Sequence, residues 1–121
     1  MSEVSVLTDD VVTLPVSEVA TLLNQPESRV HQLVRDGHLL SLRRDKEVVV
    51  PADFLDTTEQ RAEVVKGLPG TITVLRDGGF TDDEILRWLF TEDDSLPGTP
   101  VSVLHTDHAR EIVRRAQAMG F

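Results

Sequence analysis

The 121 residues predict a mainly α protein, and three observations carry that expectation. Most segments place their apolar residues at helical spacing. Only one, His38 to Pro51, reads as a pair of strands around a polar turn. The first two helical segments are separated by only about two residues, Asn24 and Gln25, which makes them a helix-turn-helix pair.

The elements follow in chain order. Residues 1–13 are polar and acidic and are expected to be a flexible tail. In "LPVSEVATLLNQ", Val16, Val19, Ala20 and Leu23 fall on one helical face, and Pro15 suits a helix start. In "PESRVHQLVRDG", Val30, Leu33 and Val34 form the inward stripe. Ser28, His31, Gln32 and Arg35 point away, with Arg29 at the border and Gly37 as a left-handed stop. "HLLSLRRDKEVVVP" predicts two strands around Arg44–Glu47, ended by Pro51. A lone hairpin is marginal, so it must pack on the helix pair.

Residues 52–67 are helical in character, broken at Gly67. "PGTITVLRDGGF" has strand propensity, but Leu68, Ile72 and Leu75 also fit a helical stripe. Its neighbours favour a helix, ended at Gly78–Gly79. "TDDEILRWLF" has a capping box of Thr81 and Glu84, and Ile85, Trp88 and Leu89 as its buried stripe. "TEDDSLPGTP" reads as a loop. A last helix from about Asp107 turns Ile112, Val113, Ala116 and Met119 inward. The expected architecture is a winged helix-turn-helix with a two-stranded β-wing over 14–55, followed by a small C-terminal helical domain over 56–121.

Charge points to one functional window. The chain carries a net charge of −9. Residues 1–28 hold five acids and no bases, and residues 47–121 hold fourteen acids against seven bases. Residues 29–46 reverse the sign, with Arg29, Arg35, Arg43, Arg44 and Lys46 against Asp36 and Asp45. A local patch, rather than the net charge, decides where phosphate sits. A helix of about ten residues fits the DNA major groove, with its N-terminal half at the base edges. That half offers Ser28, Arg29, His31 and Gln32. Arginine can bind guanine, and glutamine adenine, in a bidentate way. Arg35 is placed for phosphate, and Arg43, Arg44 and Lys46 for backbone or minor groove at the wing tip. The expected partner is double-stranded DNA, bound by sequence, in a transcriptional or nucleoid-associated regulator.

Other chemistries find little support. There is no cysteine, so disulfides and thiolate metal sites are excluded. His105 and His108 lack a third convergent ligand, so no metal is expected. No phosphate-cradling glycine loop is present, and no enzyme activity or cofactor is expected. No run of 18 apolar residues exists, and the acidic start lacks a signal-peptide pattern. No membrane association and a cytoplasmic location are therefore expected. The tail admits a sharper reading beside the solvated one: Thr8, flanked by Asp9 and Asp10, is a phosphorylation candidate.

"LPVSEVATLLNQPESRVHQLVRDGHLLSLRR" resembles the winged helix-turn-helix of small actinobacterial DNA-binding proteins, and the wider excisionase and mercury-resistance-regulator module. The likeness continues through "GLPGTITVLRDGGFTDDEILRWLF" and "HAREIVRRAQAMGF". It implies a DNA-binding role and a Ser/Thr protein kinase as a further partner. "WLFTEDDSLPGTPVSVL" is similar to the C-terminal domain of antitoxins of the Xre, MbcA and ParS type. That second likeness implies an alternative function, a protein-interaction module whose C-terminal helices bind a partner or a second copy.

Overall fold

The computed structural model describes residues 7, 8, 10–58 and 61–119. A short strand β1 (Thr13–Pro15) leads directly into α1 (Val16–Leu23). The turn to α2 (Glu27–Arg35) is made by Asn24 in the left-handed conformation (φ 57°), where its amide and that of Gln25 close onto the end of α1. Asparagine is one of the few residues with a side chain that reaches this region cheaply. Val16, Val19 and Ala20 of α1 and Val30 and Leu33 of α2 are buried, so the expected stripes face each other.

After α2, Gly37 turns the chain at φ +79°. A Cβ there would lie 3.0 Å from an Arg76 guanidinium nitrogen. The backbone conformation favours glycine there, and any side chain would need the Arg76 guanidinium to shift slightly. Leu39 and Leu40 are then fully buried, and β2 (Leu42–Arg44) and β3 (Glu47–Pro51) form the predicted hairpin. Asp45 (φ 51°) and Lys46 (φ 68°) are the two positive-φ residues of a tight hairpin turn. Leu42 pairs with Val49, and Arg44 with Glu47.

The sheet has a third strand that the sequence reading assigned to the tail and the helix start. β1 pairs with β3, Thr13 opposite Pro51 and Leu14 opposite Val50, giving the order β1-β3-β2. Leu7 is also buried, 5% exposed. The flexible tail expected over 1–13 is therefore corrected for Leu7, Thr8 and Asp10–Thr13. The Leu7, Thr8 and Val11 carbonyls meet Arg44, the Val12 carbonyl accepts from the Ala52 amide, and Thr13 pairs with Pro51, partners that composition alone could not reveal. The rest of that segment lies outside the described residues.

The expected helix over 52–67 is a second correction. Ala52–Phe54 form one 3-10 turn, and β4 (Leu55–Thr57) pairs antiparallel with β5 (Ala62–Val64). The physical signal is a period of two: Leu55 and Ala62 are buried, while Asp56 and Glu63 are exposed. Thr58 closes the hairpin by donating both its amide and its hydroxyl to the Arg61 carbonyl.

The remaining helices are α3 (Leu68–Asp77), α4 (Asp82–Leu89), α5 (Pro100–Leu104) and α6 (Ala109–Met119). Leu68, Ile72 and Leu75 of α3 are buried, as the helical reading of that segment requires. Thr81 and Glu84 form the predicted capping box, each side chain bonded to the other's backbone amide (2.9 and 3.2 Å). These bonds hold the Glu84 carboxyl below its usual range. Leu86, not Trp88, completes the fully buried stripe of α4; Trp88 packs at the edge of the core. α5 starts at the last residue of the expected loop and fills a stretch before Asp107 for which no element was expected. Thr99 caps it and Pro100 opens it, a signal present in the sequence but short. Met119 is exposed rather than inward, while Ile112 and Ala116 are buried as expected.

Candidate nucleic-acid interface

α2 presents one polar face. Ser28, His31, Gln32 and Arg35 are exposed, and Arg29 is half-buried beside them. Val30 and Leu33 fix the rotation of the helix by burying the opposite face. Arg29 Nη1 donates to Gln32 Oε1 at 3.1 Å. Arg43 and Lys46 are exposed on β2 and in the hairpin turn. Among the described residues, neither they nor Arg35 take part in an ion pair. The fold thus exposes Arg35, Arg43 and Lys46 and leaves them outside any ion pair among the described residues.

Arg44 is the exception. Its guanidinium donates to the Val11 carbonyl (2.7 Å) and to the carbonyls of Leu7 and Thr8. Nη1 and Nη2 of this side chain pin the preceding strap to the wing, while its buried Nε finds no partner among the described residues. The reason is unmet backbone: the strap approaches the sheet without a ladder of its own, and arginine has donors enough for several carbonyls. Thr8 is exposed, and its hydroxyl donates to the Asp10 carboxylate. That bond, the local backbone amide and the Arg44 charge hold the Asp10 carboxyl below its usual range. Arg44→Ala leaves the Leu7 and Val11 carbonyls without this donor, while the Thr8 carbonyl keeps the Val11 amide. The expected result is that residues 7–12 become labile to limited proteolysis while helical content is kept. Proteolysis unchanged from wild type would contradict the pinning role.

The far end of α2 is braced from the C-terminal helices. Arg76 on α3 holds Asp82 through Nε and Nη2, both at 2.9 Å, and Nη2 also approaches the Val34 carbonyl at 3.4 Å. A cation at the last turn of a helix complements its dipole. The sequence reading missed this residue, since nothing local ties position 76 to position 34. A second tie joins the wing root to α5. The His105 ring donates from Nε2 to the Asp53 carbonyl at 2.6 Å, which fixes its tautomer because a carbonyl only accepts. His105 is thus occupied structurally. Among the described residues, no group of three or more His, Asp or Glu side chains converges as metal ligands.

The C-terminal helices spend their apolar faces on one another. α3 packs on α6 and α4, with Ile72, Leu75, Leu89, Leu104, Ile112 and Ala116 buried. Arg115 bonds Glu111 (3.1 Å) and the Ser95 hydroxyl (2.6 Å), tying α6 to the loop before α5. Ser95 and, secondarily, Arg115 hold the Asp93 carboxyl low. Among the described residues, no helix is long and apolar enough to cross a membrane.

Comparison with known proteins gives concordant matches. Residues 2–55 match the family model described as "DNA-binding protein Rv2175c, wHTH domain". Residues 65–120 match that described as "Rv2175c C-terminal domain of unknown function". The "DNA-binding protein Rv2175c" of Mycobacterium tuberculosis (strain ATCC 25618 / H37Rv) is 47% identical over 128 residues, covering 96% of this chain and 86% of that protein. The NMR structure of Rv2175c is similar with a TM-score of 0.85 at 46% identity, covering 97% of this chain and 86% of that one.

Proposed function

Because the chain belongs to the Rv2175c family, we propose that it binds double-stranded DNA by sequence through α2 and the β2–β3 turn. The observation that carries this reading is the uncommitted basic set. Arg35, Arg43 and Lys46 are exposed and outside any ion pair among the described residues, beside a helix whose polar face bears Ser28, Arg29, His31 and Gln32. Arg35, Arg43 and Lys46 hold phosphates and set the register. The α2 side chains read base edges in the major groove. A regulatory role in transcription or nucleoid organisation, and a cytoplasmic location, follow from this reading rather than from the geometry itself. We divide the chain at residue 55, with the C-terminal helices bracing the reading helix through Arg76. No catalytic role belongs to it. The test is the salt dependence of duplex affinity, because each phosphate contact releases counterions.

Thr8 is the proposed site for a Ser/Thr kinase. Its exposed hydroxyl and its carbonyl bond to Arg44 support this, since they place a modification beside the wing. A phosphate there adds negative charge near the duplex. Thr8→Glu is expected to lower duplex affinity; an affinity equal to wild type would remove the proposal.

A further inference from the structure

The Arg76 guanidinium faces two elements at once. Along one edge, Nε and Nη2 meet the two carboxylate oxygens of Asp82, both at 2.9 Å. This forked geometry fixes the plane of the group, which a single contact would leave free to turn. Nη2 has a second hydrogen, and it approaches the Val34 carbonyl at 3.4 Å. Nη1 lies against the Gly37 corner, 3.0 Å from where a Cβ would stand. Asp82 is itself held in place, as the first residue of α4 behind the Thr81–Glu84 capping box.

The contacts on the other side belong to the end of the reading helix. Val34 and Arg35 share the last turn of α2, and the Val34 carbonyl also accepts from the Gly37 amide at 3.2 Å. The His38 amide closes the same corner onto the Leu33 carbonyl at 2.9 Å. Arg35 is a proposed phosphate ligand, and its reach follows the placement of this turn. A hydrogen bond of ordinary length is lost when its partners separate by about 0.5 Å more. Arg76 and Asp82 are both partly exposed, and ion pairs of that kind add little to stability, so losing this one leaves the fold standing.

We infer that Arg76 and Asp82 are positioning residues for duplex binding: Asp82 holds the Arg76 guanidinium against Val34 and Gly37, and this sets the last turn of α2 so that Arg35 meets its phosphate. The inference rests on the duplex-binding reading above. It gives the C-terminal domain a part in holding DNA without touching it, and its sign is opposite to that of charge alone. Removing an acid from an acidic chain should raise its affinity for a polyanion. Removing this one should lower it.

Equilibrium binding of the full chain to one duplex at about 50 mM salt tests it, with Asp82→Asn and Arg76→Lys each made in the wild-type and the Arg35→Ala backgrounds. Asp82→Asn is expected to weaken binding about three- to tenfold, up to the loss of one phosphate contact. Arg76→Lys keeps the charge but not the fork, and should weaken it comparably. Once Arg35 is alanine, neither should weaken binding further by more than about twofold, because residues that act through one another are not additive. In the free chain, the Gly37 and His38 amide resonances should move in both variants, while circular dichroism matches wild type. Affinity unchanged or raised in Asp82→Asn would overturn the inference. So would an equal loss in both backgrounds, or amide resonances that stay in place. Should Asp82→Asn not fold, Arg76→Lys is read in the same way. Any of these results with wild-type binding intact leaves the duplex-binding reading standing. No wild-type binding at the lowest salt overturns that reading, and the inference with it.

Discussion

Replacing Arg35 and Arg43 together by alanine should lower duplex affinity about a hundredfold at about 50 mM salt, without changing the fold. The magnitude follows from counterion release. Each phosphate contact contributes about 0.9 to the log–log salt slope, which is about tenfold in affinity at that salt concentration. Both side chains are exposed, and among the described residues neither forms an ion pair, so their removal leaves no buried partner behind. The loss should be similar for every duplex sequence, since phosphate contacts carry no base information. The salt slope should become shallower by about two. Equilibrium binding to two unrelated duplexes measures both quantities. Undiminished affinity would mean that the duplex docks elsewhere. The acidic remainder of the chain sharpens this test. Residues 47–121 carry twice as many acids as bases, which lowers the nonspecific attraction of that part of the chain for a duplex.

Phe54→Ala carries the largest expected effect on stability. Phe54 is fully buried, and its ring lies 5.7 Å from that of Phe90 at a 47° tilt. It sits between the end of β3 and the C-terminal helices. Its carbonyl accepts from the Val65 amide at 2.9 Å, and the neighbouring Asp53 carbonyl holds His105. Emptying such a site costs about 3–5 kcal/mol, from lost burial and the cavity left behind. That is a large part of the roughly 5–15 kcal/mol by which domains are stable. The melting temperature should fall by about 10–20 °C. Phe54→Leu, which keeps most of the volume, should lose much less. Thermal denaturation followed by circular dichroism checks both. A shift of under about 3 °C in the alanine variant would contradict the account of this residue as the joint between wing and helices.

What the sequence disclosed, and what it hid, divides by the range of the interactions. α1, α2 and the β2–β3 hairpin were legible because their signals are local: apolar spacing, the Asn24–Gln25 turn, Gly37, and a polar tip between apolar strands. The Thr81–Glu84 cap was legible for the same reason. β1 was not, because three residues have no period and their pairing partner, Val49–Pro51, lies more than thirty residues away. β4 and β5 were hidden by composition. Charged and helix-favouring residues at Glu59–Glu63 outweighed the short alternation around Leu55 and Ala62. At the interface, residue type and position correctly suggested that Ser28, His31, Gln32, Arg35, Arg43 and Lys46 face solvent. They could not separate Arg43 from Arg44. One residue further along the strand, the side chain meets the carbonyls of Leu7, Thr8 and Val11 and becomes part of the fold. Nor could they show that Arg29 and Gln32 bond to each other. Arg76 was invisible as a brace, since its partners Val34 and Asp82 come from two other elements.

The most direct test of the central claim is duplex affinity measured as a function of salt for the wild-type chain. Three phosphate contacts, from Arg35, Arg43 and Lys46, predict a log–log slope of about −2.7. Affinity should then fall about fortyfold between about 50 and 200 mM salt. A slope near zero, or no measurable binding at the lowest salt, would contradict the claim that this basic face holds DNA.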